Sequence, residues 1–234
     1  MTIEEVKAEI AQLADPENAR FFLKLNPTAK LPCAGVRIPQ MRKLAQKIAK
    51  DDYRAFLDNN PMDSFEMECL QAFVIGYAKD DINVILAYLD DFIPKIHDWS
   101  VNDSLCQTFK IARKYPQETF AVLSKYRDSH REYEVRVVAI MLMSQFLDDD
   151  HIDTVIEVIN NLYTGDFYAK MGVAWAVATI MAKYPDKCTE YMLSPDNRLD
   201  EWTYKKALQK MKESYRVDNA IVDRIKKDRK DLNL

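Results

Sequence analysis

Part of this chain is written twice, and that repetition limits what it can fold into. Ile111-Ala112-Arg113-Lys114-Tyr115-Pro116-Gln117-Glu118-Thr119 returns as Ile180-Met181-Ala182-Lys183-Tyr184-Pro185-Asp186-Lys187-Cys188, a shift of 69 positions. The same shift carries Asp80-Asp81 onto Asp149-Asp150, and a Val/Ile-rich stretch follows each pair, Ile82 to Ile93 and Ile152 to Leu162. Half of that shift is about 35 residues, the length of one antiparallel helix pair. Such a pair buries its apolar faces only by stacking on another. The sequence therefore predicts an all-α solenoid of HEAT- or armadillo-like helix pairs, a superhelix with a concave groove.

Local signals agree with that unit. Pro116 and Pro185 bias the preceding tyrosines away from helix and then suit the first turn of a new one. Asp63-Ser64 before Glu66 and Met67, and Asp149-Asp150, offer N-cap oxygens and first-turn negative charge. Apolar residues at three- and four-residue spacing mark Phe65 to Ala78, Val84 to Ile93, Val135 to Leu147 and Phe167 to Ala182 as helices. The stretch Pro32-Cys33-Ala34-Gly35-Val36-Arg37-Ile38-Pro39 reads as a loop before a helix from Gln40 to Lys50. After Arg198 two more helices follow, the last (Asn219 to Lys230) strongly basic. The expected organisation is one domain, 1–234, with N-terminal helices in 1–50, central repeats in 51–195 and capping helices in 196–234. Only four glycines and no alternating strand pattern support the all-helical class.

Several function classes drop out. No run of about eighteen apolar residues is available for a membrane span. The N-terminus, Met1-Thr2-Ile3-Glu4-Glu5-Val6-Lys7, is charged and amphipathic, unlike a secretory signal. Cys33, Cys69, Cys106 and Cys188 lack paired spacing, which predicts reduced cysteines in a cytoplasmic protein. His97, His130 and His151 have no second ligand at helical spacing, so no metal is expected. Without a Gly-rich phosphate loop, a nucleophile elbow or a Walker lysine, nothing supports a hydrolase built on a nucleophilic Ser or Cys. A net charge of −4 is unusual for a nucleic-acid binder. The acids gather where helices turn, however, and a basic face can survive opposite them.

Three elements stand out as candidate chemistry. Trp99 and Asp103 lie four residues apart, on one face at a helix start. Each also has a plain reading, a core aromatic and an acid that complements the helix dipole. Arg136 sits among Val135, Val137 and Val138, where an unpaired charge is costly, so it must reach a groove or a partner. Trp175 follows on a later helix, with Phe167, Met171 and Val177 as core neighbours. The three belong to successive helix pairs and are expected along one concave wall.

The order Trp-x-x-x-Asp, Val-Arg-x-x-Ala-Ile, then Lys-x-x-x-x-Trp-Ala resembles the AlkD-type family of bacterial DNA alkylation repair proteins. So do Gly35-Val36-Arg37-Ile38-Pro39-Gln40-Met41-Arg42-Lys43-Leu44-Ala45 and Leu199-Asp200-Glu201-Trp202-Thr203-Tyr204-Lys205-Lys206-Ala207-Leu208. The similarity runs from about Gly35 to Arg216. It implies a HEAT-like solenoid that grips duplex DNA containing alkylated purines and acts as a monofunctional DNA glycosylase, which requires no cofactor. By the same resemblance, Asp103 is the catalytic carboxylate, Trp99 and Trp175 flank the lesion nucleotide, and Arg136 holds the backbone or lesion site. The family often has two adjacent arginines where this chain has Arg136-Val137. Arg42, Lys43, Lys47, Lys110, Arg113, Lys170, Lys205 and Lys206 are the candidate phosphate contacts. The alternative is a catalytically silent module of the same shape that binds DNA structure or a protein.

Overall fold

A computed structural model describes residues 1–27 and 29–232. The last two residues of the expected capping segment, 233 and 234, lie outside it. Among the described residues there are fourteen α-helices and no strand. They are α1 (Ile3–Leu13), α2 (Pro16–Leu25), α3 (Ile38–Lys50), α4 (Tyr53–Asn59), α5 (Phe65–Tyr77), α6 (Ile82–Phe92), α7 (Trp99–Thr108) and α8 (Pro116–Ser124). After them come α9 (Glu132–Gln145), α10 (Ile152–Asn161), α11 (Phe167–Lys183), α12 (Pro185–Leu193), α13 (Glu201–Glu213) and α14 (Asn219–Asp231). The chain groups into two compact units, Met1–Thr119 and Phe120–Leu234.

Each unit is a stack of the solenoid type. In the first, α5 packs against α3 on one side and α7 on the other, with α4 and α6 beside it. In the second, α11 packs between α9 and α13, with α10 and α12 outside and α14 against α12 and α13. Sequence and position agree. The middle helix α5 is buried without interruption from Phe65 to Ile75, as a helix covered on all sides must be. The outer helix α10 buries one stripe, Ile152, Val155, Val158 and Ile159.

Helix starts follow the sequence signals in most places. Ser64 Oγ accepts the Met67 amide at the start of α5, and Asp81 Oδ1 accepts the Asn83 amide of α6. Pro116 and Pro185 open α8 and α12. The cap of α10 differs from expectation. Its N-cap is His151, whose amide donates to Asp148 Oδ1 at 3.1 Å, so Asp149 and Asp150 are not the capping pair. Helix α3 begins two residues before the expected Gln40, because Pro39 occupies its first turn. The two copies of the repeat also diverge. Lys110–Lys114 is a 3-10 turn, whereas Ile180 to Lys183 finish α11.

The loop before α3 is held by one buried side chain. Glu66, fully buried on α5, accepts the backbone amides of Ala34, Gly35 and Val36 at 3.1, 2.8 and 3.2 Å. Asp15 then donates its amide to the Ala34 carbonyl at 3.0 Å, which ties α2 to the same loop.

Candidate active site

In the first unit the site is built at the start of α7. Asp98 is its N-cap, with Oδ1 accepting the Ser100 amide at 2.8 Å and the Ser100 hydroxyl at 2.5 Å. That cap places Trp99 at the first helical position and Asp103 one turn later on the same face. Trp99 is half-buried, and Asp103 is only 7% exposed. The Trp99 indole Nε1–H donates to Asn26 Oδ1 at the end of α2, which fixes the ring against rotation. Asn26 is itself buried, and its Nδ2 has no hydrogen-bond partner among the described residues.

Behind this helix start lies Glu68 of α5. Its Oε1 accepts the His97 amide at 2.7 Å, and the His97 ring Nδ1 stands 3.7 Å away. Its other oxygen, Oε2, is buried without a hydrogen-bond partner among the described residues, and Glu68 helps to line a small cavity with Phe22, Phe65, His97 and Asp98. Burial, partly offset by the His97 amide, pushes the Glu68 carboxyl up to about 7. The local chemistry is therefore carboxylic: Asp98, Asp103 and Glu68 attend one helix turn that also carries an anchored indole.

In the second unit Arg136 and Trp175 belong to neighbouring helices. Arg136 is 5% exposed on α9, and its Nη1 donates to the Tyr168 carbonyl in the first turn of α11 at 2.7 Å. Expected to reach a groove or a partner, it reaches a partner. Gly172 makes this possible, since a Cβ there would stand 3.1 Å from Arg136 Cγ. Glu132, four residues earlier on α9, accepts the Tyr168 amide at 2.6 Å and so caps α11 from outside. Trp175 lies three residues beyond Gly172 and is half-buried.

The candidate phosphate contacts divide. Lys43, Lys110 and Arg113 are exposed. Lys47 pairs with Glu9 at 2.6 Å and Lys205 with Glu201 at 2.5 Å. Lys170 and Lys206 place their ammonium groups over the Trp202 ring, 4.7 and 5.4 Å from its centre. Arg42 is drawn inside the first unit. Its Nη1 donates to the Tyr77 hydroxyl and Thr108 Oγ1, each at 2.9 Å, and its guanidinium lies 4.4 Å from the centre of the Phe73 ring. This arginine joins α3, α5 and α7.

Sequence reasoning passed over Glu66, Glu68 and Asn26. Two glutamates in the first turn of a helix look like dipole complements. Only the buried, near-continuous apolar run around them hints that they face inward.

A family model described as "DNA alkylation repair enzyme" matches residues 6–211 of the 234. The chain belongs to this family. No curated protein matches it. The match covers both units through Met211 and leaves α14 outside. It contains Trp99, Asp103, Arg136 and Trp175, so the carboxylic helix start and the arginine-braced helix both lie within the repair-enzyme segment. Among the described residues no three His, Cys, Asp or Glu side chains gather to hold a metal ion. No described helix is long and apolar enough to cross a membrane.

Proposed function

We propose that this repair enzyme is a monofunctional DNA glycosylase that hydrolyses the N-glycosidic bond of cationic N3- or N7-alkylated purines in duplex DNA. The observation that carries the reading is the start of α7, where a nearly buried carboxylate, Asp103, stands one turn from a tethered indole, Trp99.

The chemistry asked of these residues is modest. An N-alkylated purine already carries positive charge, so it leaves with the electron pair of the glycosidic bond and becomes neutral without a general acid. Positive charge then develops on the deoxyribose. The Asp103 carboxylate stabilises that charge and takes a proton from the water whose oxygen bonds to the sugar carbon. The faces of Trp99 and Trp175 favour a cationic base or sugar by about 0.5–2 kcal/mol each. Arg136 braces the first turn of α11, the helix that carries Trp175. No metal or organic cofactor enters this scheme.

A base-release assay on methylated duplex DNA tests it. The wild type is expected to free 7-methylguanine or 3-methyladenine. Asp103→Asn is expected to lose about 10²–10⁴-fold in rate while still binding DNA, the range of a positioned proton acceptor. Absence of released base at high enzyme concentration sinks the proposal.

One observation favours a second reading, a silent DNA-binding or scaffold module. Two of the arginines expected to meet DNA, Arg42 and Arg136, bond instead to groups of their own units. Binding to methylated duplex without release of base would support it.

A further inference from the structure

The last helix makes a site of its own. Between α13 and α14 lies an open groove of about 600 Å³, lined by Glu201, Tyr204, Lys205 and Leu208 on one side and Lys226, Arg229 and Lys230 on the other. In a chain of net charge −4, four of the seven residues that line this groove are cations. Their charge is unevenly compensated. Lys205 pairs with Glu201 at the edge of the groove, and Arg229 stacks over Tyr204 at 3.7 Å. Among the described residues neither Lys226 nor Lys230 forms a direct ion pair; Lys226 acts at longer range on Asp223, which is paired with Lys212. Helix α14 also lies beyond the 6–211 segment matched by the family model, so this chain builds the groove with a helix that the matched segment lacks.

Helix-dipole complementarity accounts for Arg229 and Lys230 in the last turn of α14, but not for Lys226 or for the facing Lys205. Glu201 answers Lys205, and among the described residues no other carboxylate lines the groove to answer Lys226, Arg229 and Lys230. From Lys226 to Lys230 is one helical turn, about 6 Å along the axis. One DNA strand carries about two phosphates over that length, at roughly 3.4 Å of axis each. Tyr204 and Leu208 form the nearly buried floor of the groove, with Arg229 over the Tyr204 ring, so the cations and their methylenes are what a deoxyribose-phosphate strand would meet. We infer that the α13–α14 groove is a phosphodiester-binding site, an anchor for the DNA backbone that acts independently of base sequence and of the lesion.

The inference rests on DNA being the partner of this enzyme, and it does not require excision. Its test is the salt dependence of binding to an undamaged, fluorescein-labelled duplex, followed by anisotropy across a potassium chloride series with the full chain. Lys226→Gln/Lys230→Gln is expected to reduce the slope of log K against log salt by about 2, near 0.9 for each phosphate that the protein no longer neutralises. Affinity should fall alike for unrelated sequences, and release of methylated base at saturating enzyme should not change. Lys212→Gln, which removes a cation paired with Asp223 at 2.5 Å, serves as the control and should leave the slope unchanged. An unaltered slope in the double variant overturns the inference, as does a wild type that binds no duplex at low salt. A protein that shows the slope change but releases no base keeps the groove and loses the glycosylase reading. If an Asp/Glu-rich peptide binds the wild-type protein but not the double variant, and the DNA slope is the same in both, the groove is a protein-docking site and the inference fails.

Discussion

Gly76 of α5 lies against Thr108 at the end of α7 so closely that a Cβ at 76 would stand 2.6 Å from Thr108 Cγ2 and 3.1 Å from its backbone carbon. The same threonine receives Arg42. The spacing of α5 and α7, and with it the seat of Trp99 and Asp103, is thus set by the absence of one methyl group. Gly76→Ala is expected to destabilise the protein by about 1–3 kcal/mol through overpacking, more than the gain in helix propensity returns. Urea unfolding of the full chain measures this. Thr108→Ser, which removes Cγ2 and keeps the oxygen for Arg42, should restore part of the loss in the double variant. Equal midpoints for Gly76→Ala and wild type would show that the two helices separate without cost.

The Trp99–Asn26 bond predicts a non-additive pair. Trp99→Phe keeps an aromatic ring but leaves the buried Asn26 carbonyl without its indole donor, at an expected cost of about 1–3 kcal/mol. Trp99→Phe/Asn26→Leu removes both polar partners and should be no less stable than the single variant. Simple addition of two losses in a thermal-melt cycle would mean that the bond contributes little.

Glu68 predicts a pH dependence of stability. Its carboxyl, at about 7 in the folded protein against an ordinary 4.5, keeps a proton that the unfolded chain has lost. Between those values the unfolded state binds fewer protons, so stability falls as pH rises from about 4.5 to 7, by up to roughly 3 kcal/mol. Glu68→Gln retains an acceptor for the His97 amide and carries no charge. The stability gap between variant and wild type should widen across this window and level off above it. Parallel curves from pH 4 to 8 would show that Glu68 does not titrate there.

Much of this was legible in the chain itself, and the exceptions share a cause. The repeat, the prolines of α8 and α12, and the cap at Ser64 are local patterns, and they placed the helices within a few residues, although the expected Asp149-Asp150 cap did not form. The reasoning that Arg136 must reach a groove or a partner was also local, but the Tyr168 carbonyl it meets, 32 positions away, was not legible. Arg42, by contrast, sits in a motif that reads as a surface cation and is captured by residues 35 and 66 positions away. Glu66 and Glu68 serve amides about 30 positions away in the sequence. Contacts of that range leave no periodicity to read.

The Glu66 clasp on residues 34–36 has a further consequence, for motion. A loop with two prolines and a glycine is where slow-exchanging amides are least expected. Here the Gly35 and Val36 amides cannot meet solvent unless a fully buried carboxylate gives up its donors. Their exchange with deuterium should therefore be governed by opening of the first unit as a whole, and these loop amides should rank with the centre of α5 among its slowest.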